Sequence, residues 1–358
     1  MSTRPARHVW VAMVGLIIGL AVALAILSSN AWDPTSLVRF GAGDVERRAY
    51  AEHWLGPDVW LAPDMGHDGK FFFIQAMDPF FAESDQHAVF LDRPTYRARR
   101  MLYPTLASLG GLLGPQAIVW NFVILNVLGM AAGTYFTSRV ATELGRSAWL
   151  GLAFALNPGL IFELIVDGSG VLAGVFLMAA VFFVIRGGHW WGGMGLAAAA
   201  LARETMILAA VGVGLFLVWK HRRLPPIALA LPFLVLGGWT LYLSGRLSEG
   251  VREDLVGFDL PFAGFAKAMG RWLANPAMTI DLALGILLMT IVLLVLSLAF
   301  KAPSVLASSV VGLALLPLVT SEYTWLSFFD SLRILAPVVT AFLVLWRSMR
   351  KPSVARSG

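Results

Sequence analysis

Residues 277–300 form a run of 24 positions in which Asp281 is the only charged side chain. As a helix this run is about 36 Å long, more than a hydrocarbon core of about 30 Å. Comparable apolar runs occupy 8–27, 117–137, 148–165, 170–185, 192–202, 206–219, 226–243, 305–319 and 334–346. They are continuous rather than alternating, which excludes a membrane β-barrel. Only 14% of the 358 residues are charged and 58% are hydrophobic, where a soluble domain carries about a quarter charged residues. The expected fold is all-α and polytopic: a single transmembrane domain over 1–358 with about ten transmembrane helices.

Orientation follows from the basic residues in short loops. The run 8–27 follows Arg4 and Arg7, is longer than the apolar part of a secretion signal and lacks a small-residue cleavage site, so it reads as an uncleaved first span. With the amino terminus in the cytoplasm, 30–116 becomes a long extracytoplasmic loop. Within it, 101–113 is too short to cross and reads as an interfacial helix. Later spans deliver Arg139, Arg146, Lys220, His221, Arg222 and Arg223 inside, and 244–275 forms a second extracytoplasmic loop. Both termini are expected in the cytoplasm, with Arg347, Arg350, Lys351 and Arg356 in a basic tail. Asn157-Pro158-Gly159 and Pro337 interrupt spans and Gly187-Gly188 precede another, as happens where backbone lines a cavity or packs on protein. Their distribution suggests a cavity that opens outward.

The absence of cysteine excludes disulfides and thiolate metal sites, and a net charge of +5 fits membrane orientation rather than nucleic-acid binding. Carboxylates, guanidinium groups, histidine and aromatics concentrate instead in 66–106. Asp68 precedes Gly69 and the aromatic run Phe71-Phe72-Phe73. It reads either as a cavity-facing general base, with the phenylalanines anchoring its helix in the lipid interface, or as a helix cap. Arg93, Arg97 and Arg100 have the spacing of one helical face, though Pro94 interrupts its start. They suit a phosphate or diphosphate head group, or snorkel to lipid phosphates.

Arg203-Glu204 lies in a very apolar stretch, where a charged pair faces a cavity or forms a structural ion pair. Arg333, three residues after Asp330, has the same two readings. His53, Asp58, Asp64, His67 and Asp68 offer ligands for a divalent cation without matching a fixed spacing, and solvated loop residues are the simpler account. Asn121 and Asn126, inside a span, read as helix-to-helix hydrogen bonds.

The segment His67-Asp68-Gly69-Lys70-Phe71-Phe72-Phe73-Ile74, followed by Arg99-Arg100-Met101-Leu102-Tyr103-Pro104, resembles the first-loop signature of membrane glycosyltransferases of the GT-C fold. It is similar to the PIG-V-like mannosyltransferases and their bacterial relatives, although His67 stands where an aromatic often precedes the Asp. Ala202-Arg203-Glu204-Thr205 and Asp330-Ser331-Leu332-Arg333 are similar to later features of such proteins. The resemblance implies a polyprenyl-phosphate-linked sugar as donor, a glycan, lipid or protein acceptor at the extracytoplasmic face, and Asp68 as the catalytic base of an inverting transfer. His67, Arg93, Tyr96, Arg97, Arg100, Arg203, Glu204 and Arg333 would bind substrate beside membrane lipid, in a bacterial inner membrane. A transporter or lipid flippase using the same cavity, or a non-catalytic scaffold that binds a lipid-linked glycan, remain the rival expectations.

Overall fold

The computed structural model describes residues 4–222, 226–247 and 257–346. Arg223, part of the second polar loop and the basic tail from Arg347 onward, named above as orientation signals, lie outside the described residues.

The chain is an all-α membrane protein. Among the described residues, five helices are long and apolar enough to cross a membrane: Ala6–Ser29, Pro115–Glu143, Glu204–His221, Ile227–Ser244 and Pro276–Lys301. Two bent pairs, Ala148–Ala155 with Pro158–Ile165 and Phe328–Ile334 with Ala336–Leu345, raise the number to seven if each is one span. The apolar runs expected at 170–185, 192–202 and 305–319 form shorter helices, Gly170–Ile185, His189–Ala202 and Val305–Leu315. Helix Pro115–Glu143 is central: Arg4–Ser29 packs on one side of it and Gly170–Ile185 on another, with His189–Ala202 beyond. Ile207–His221 and Thr279–Lys301 both pack on Val305–Leu315.

The two bends have a common cause. Asn157 precedes Pro158 and Leu335 precedes Ala336-Pro337, and proline cannot donate into the preceding helical turn. Asn157 is fully buried and its side chain bridges the two breaks. Its side-chain oxygen accepts from the Gly159 amide at 2.9 Å, and its amide donates to the Ala336 carbonyl at 2.8 Å and to Thr340 Oγ1 at 2.9 Å. One polar side chain thus ties both broken helices together. Asn157→Leu is expected to lower stability by about 1–3 kcal/mol, because the partners stay buried without it. A thermal unfolding midpoint equal to that of the parent protein would show that packing alone holds the two breaks.

Between the first two long helices the chain builds a cap at one end of the bundle. It contains Thr35–Val38, Val45–Leu55, Gly69–Met77, Pro94–Ala98 and Leu102–Ser108, with Phe40–Gly41 paired in parallel to Leu61–Ala62. Gly66 fixes the entry to the Asp68 helix. Its φ is +74°, and a Cβ there would sit 2.2 Å from the Arg39 carbonyl. The next amide, His67 N–H, donates to that same carbonyl at 2.9 Å.

Phe71, Phe72 and Phe73 are buried within this cap, not exposed as interfacial anchors, which corrects the sequence expectation. Phe73 packs edge-on against Phe40 and Phe72 against Tyr103, so the aromatic run serves as the core that seats the helix. Lys70, inside the same run, is also buried and donates to the Asp44 carboxylate and the Met65 carbonyl. Leu102–Ser108 ends in a turn at Leu109–Leu113 whose Leu112 and Leu113 are exposed. Asn121 and Asn126 do join helices, through the Ala107 carbonyl and the Tyr103 hydroxyl.

Candidate functional site

Asp68 occupies the position before helix Gly69–Met77, yet its side chain makes no capping hydrogen bond. The capping alternative is therefore corrected: the carboxylate faces away from its own helix and joins two distant segments. Oδ1 accepts from Arg97 Nη1 at 2.8 Å and Oδ2 from Arg333 Nη2 at 2.7 Å. The neighbouring glycine makes this placement feasible. A Cβ on Gly69 would lie 2.5 Å from the Val38 carbonyl and 2.8 Å from the Val166 carbonyl, so only glycine lets the helix start this close to both.

Each arginine around Asp68 has further partners. Arg97 grips Asp92 with Nε and Nη2 at 2.8 and 3.0 Å and lies 4.1 Å over the Phe71 ring. Arg100 holds Glu204 through Nε and Nη2 at 2.8 and 3.0 Å and donates to the Tyr96 hydroxyl at 2.6 Å. Arg203 does not pair with Glu204, its neighbour in sequence; it donates to Glu163 at 2.9 Å and to the Arg333 carbonyl at 3.3 Å. Arg333 also approaches Asp330 at 3.3 Å. Four guanidiniums and five carboxylates (Asp68, Asp92, Glu163, Glu204 and Asp330) thus form one network from segments up to 265 residues apart.

The network corrects two expectations. Arg93, Arg97 and Arg100 do not share a helical face, because Pro94 starts a helix of only five residues, Pro94–Ala98, and Arg93 lies outside the helical region at φ −141°. The Arg93 side chain is exposed and forms no ion pair among the described residues. The remaining arginines are not an open cationic row either, since each already holds a carboxylate.

Burial by itself would raise the Asp68 carboxyl, but the charges of Arg333, Arg97 and Arg100 outweigh it and hold Asp68 well below the usual carboxylate range. His67, beside it, is pushed below the ordinary imidazole value by burial and then by Arg333. Its ring packs edge-on against Phe162, and Nε2 stands 3.8 Å from Asp330. His67 Nδ1 is buried without a hydrogen-bond partner among the described residues.

The candidate cation ligands are not gathered: among the described residues no group of three or more His, Asp or Glu is placed to hold a metal ion. Asp64 instead accepts from the Gly66 amide, and His53 packs against Trp54.

Compared with protein-family models, curated protein sequences and solved structures, the chain matches none.

Two members of the network were not singled out by sequence. Glu163 sits in an apolar stretch, and its two oxygens serve Arg203 and the Gly170 amide, the latter at 3.0 Å. A lone carboxylate among Leu160, Ile161, Phe162, Leu164 and Ile165 was the available signal, because such a residue is costly without a partner. Asp92 was visible only as one of many loop carboxylates. Its distinguishing feature, a two-pronged grip on Arg97, needs the turn at Arg93-Pro94 that brings the two together.

Proposed function

We propose that this protein is a membrane glycosyltransferase that moves a sugar from a polyprenyl-phosphate-linked donor to an acceptor at the extracytoplasmic face, with Asp68 as general base. The observation that carries this reading is the double clamp on Asp68 by Arg97 and Arg333 within a buried ion network at one end of the bundle. A buried carboxylate with two guanidiniums is expensive to assemble for stability alone, since an apolar replacement of a buried ion network is often neutral or stabilising. Such strongly shifted groups cluster at functional sites. The ion pairs among the described residues join Asp68, Asp92, Arg97 and Arg100 of the cap to Glu163, Arg203, Glu204 and Arg333 of the bundle, and this place where cap meets bundle favours surface chemistry over transport. The topology that fits is ten traverses with both termini in the cytoplasm of a bacterial inner membrane, 30–116 and 244–275 forming the outer loops.

The pairing of every arginine sets the order of events. The donor phosphate competes with Asp68 for Arg97 and Arg333, because guanidinium forks bind phosphate as readily as carboxylate. As those charges turn to the phosphate, burial dominates at Asp68 and its proton affinity rises toward that of a working base. Asp68 then takes the acceptor hydroxyl proton while the acceptor oxygen bonds the anomeric carbon from the face opposite the phosphate. The bond from that carbon to the phosphate oxygen breaks, its electron pair leaves on the lipid phosphate, and Arg97, Arg333 and Arg100 stabilise the added charge. Glu204 and Tyr96 hold Arg100, and Arg203 holds the Arg333 backbone, so these three keep the guanidiniums around Asp68 in register.

The test is incubation of purified protein in nanodiscs with radiolabelled polyprenyl-phospho-sugars and a membrane-lipid extract as acceptor. Label is expected in a new product together with free polyprenyl phosphate. Turnover of none of the donors across a panel of sugars would remove the enzyme reading.

A further inference from the structure

The segment that joins helices Pro158–Ile165 and Gly170–Ile185 brings together two buried carboxylates with different partners. Glu163 belongs to the ion network, where Arg203 and the Gly170 amide donate to it. Asp167 turns instead to the central helix Pro115–Glu143. It is fully buried, forms no ion pair among the described residues, and receives one long hydrogen bond, from the Asn126 side-chain amide at 3.3 Å. The same amide donates to the Tyr103 hydroxyl at 2.7 Å, and Tyr103 and Asn126 are buried as well. Asp167 Oδ2 and Asn126 Oδ1 are left without a donor among the described residues.

An ionised carboxylate sealed from water with no cation beside it is so costly that the group takes up a proton instead. The two orphaned oxygens point the same way. Both are acceptors, so what the cluster lacks is a donor, and a carboxyl O–H is one. The backbone at Asp167 is left-handed, φ +44°, a conformation that aspartate and asparagine tolerate through their short polar side chains.

The cluster touches the Asp68 helix from two directions. The Val166 carbonyl, next to Asp167 in the chain, comes so close to Gly69 that a Cβ there would sit 2.8 Å from it. The Tyr103 ring meets Phe72 edge-on, with centroids 5.3 Å apart. Asn126 therefore ties both supports of the first helical turn after Asp68 to the central helix.

We propose that Asp167 is a positioning residue for Asp68 and works as a neutral acid. With Asn126 and Tyr103 it forms an uncharged latch that fixes the start of helix Gly69–Met77, and so the place of the Asp68 carboxylate between Arg97 and Arg333. The effect of the latch on rate rests on the reading of Asp68 as general base; its charge state and its hold on the helix do not.

The charge state is read by infrared spectroscopy of the full-length protein in nanodiscs at neutral pH. The spectrum of the parent minus that of Asp167→Asn is expected to show the carbonyl stretch of a protonated carboxylic acid, and Asp68→Asn is expected to leave that band in place. Carboxylate stretches in the same difference, the signature of an ionised Asp167 or of one holding a metal cation, would overturn the neutral latch. Its hold on the helix is read by hydrogen exchange. Asp167→Gly, which suits the left-handed backbone, and independently Asn126→Leu should the first fail to fold, are expected to speed exchange of the amides of 69–73 by about fivefold or more, the effect of one lost hydrogen bond. Asp167→Asn, with the same shape and no charge, is expected to keep the protection of the parent. In single-turnover transfer, Asp167→Gly is expected to lower the rate about 10- to 100-fold with KM for the donor within about twofold, as a displaced but intact base would, and Asp167→Asn to recover most of that loss. Exchange and rate equal to those of the parent in the folded Asp167→Gly and Asn126→Leu proteins would overturn the positioning role. Should the parent transfer no sugar, the base reading falls and the infrared and exchange results alone decide the latch.

Discussion

Asp68→Asn is expected to lower sugar transfer by about 10²–10⁴-fold, the range that a positioned general base contributes, while the protein still assembles. The structure explains why the two effects separate. Asn has the shape of Asp and its amide oxygen can still accept from one guanidinium, but it has no affinity for the acceptor proton. Neither arginine is stranded by the change: Arg97 keeps its two-pronged hold on Asp92, and Arg333 keeps Asp330 at 3.3 Å. The loss should appear in single-turnover rates with labelled donor, and gel-filtration profile and donor binding should remain near those of the parent. Asp68→Glu, which moves the carboxylate outward by one methylene, should recover a small part of the rate. Transfer by Asp68→Asn at the parent rate would assign the base elsewhere and leave Asp68 as a structural clamp.

How much of this was legible in sequence depends on the range of the force involved. Spans are set by local apolar length, and the five long helices coincide with runs visible in the sequence; the breaks at Asn157-Pro158 and Pro337 were equally local. The importance of Asp68, Arg97 and Arg100 was legible because charge within a mostly apolar chain demands a reason. Their geometry was not. Whether Arg203 pairs with its neighbour Glu204 or with Glu163, 40 residues earlier, depends on how three helices pack, and spacing carries no trace of that. The burial of Phe71-Phe72-Phe73 was misread for a related reason. An aromatic cluster near a membrane surface suits either lipid or a protein core, and the cap formed by 30–114 supplied the core. Arg333 was readable as a charge three residues after Asp330 before the final span, but nothing in its spacing placed it 2.7 Å from Asp68.

Arg333→Met should change the pH dependence more than any other single substitution in the network. In the resting protein two influences oppose each other at Asp68: burial, which favours the neutral acid, and the nearby guanidiniums, of which Arg333 has the largest effect. With Arg333 present the carboxyl is held well below its ordinary value, so the free protein keeps Asp68 ionised at every pH from about 5 upward. Removing the cation leaves burial less opposed, and the carboxyl rises. The ionised form is then lost as pH falls through that raised value. The acid limb of the variant's kcat/KM, which reports the free enzyme, should therefore lie at higher pH than the acid limb of the parent. His67 complicates the readout, because Arg333 also helps to hold its imidazole low and removal of that charge raises it too. The double variant His67→Gln with Arg333→Met separates them: an acid limb that persists without the imidazole belongs to Asp68. The same shift reaches stability. In the parent protein the depressed carboxyl contributes stability above about pH 4, which is lost as pH falls further through the native-state value. In Arg333→Met that contribution shrinks, so the thermal midpoint should fall at neutral pH and respond less to acid. An acid limb at the same pH as in the parent, in Arg333→Met protein shown to be folded, would mean that Arg333 does not set the charge on Asp68.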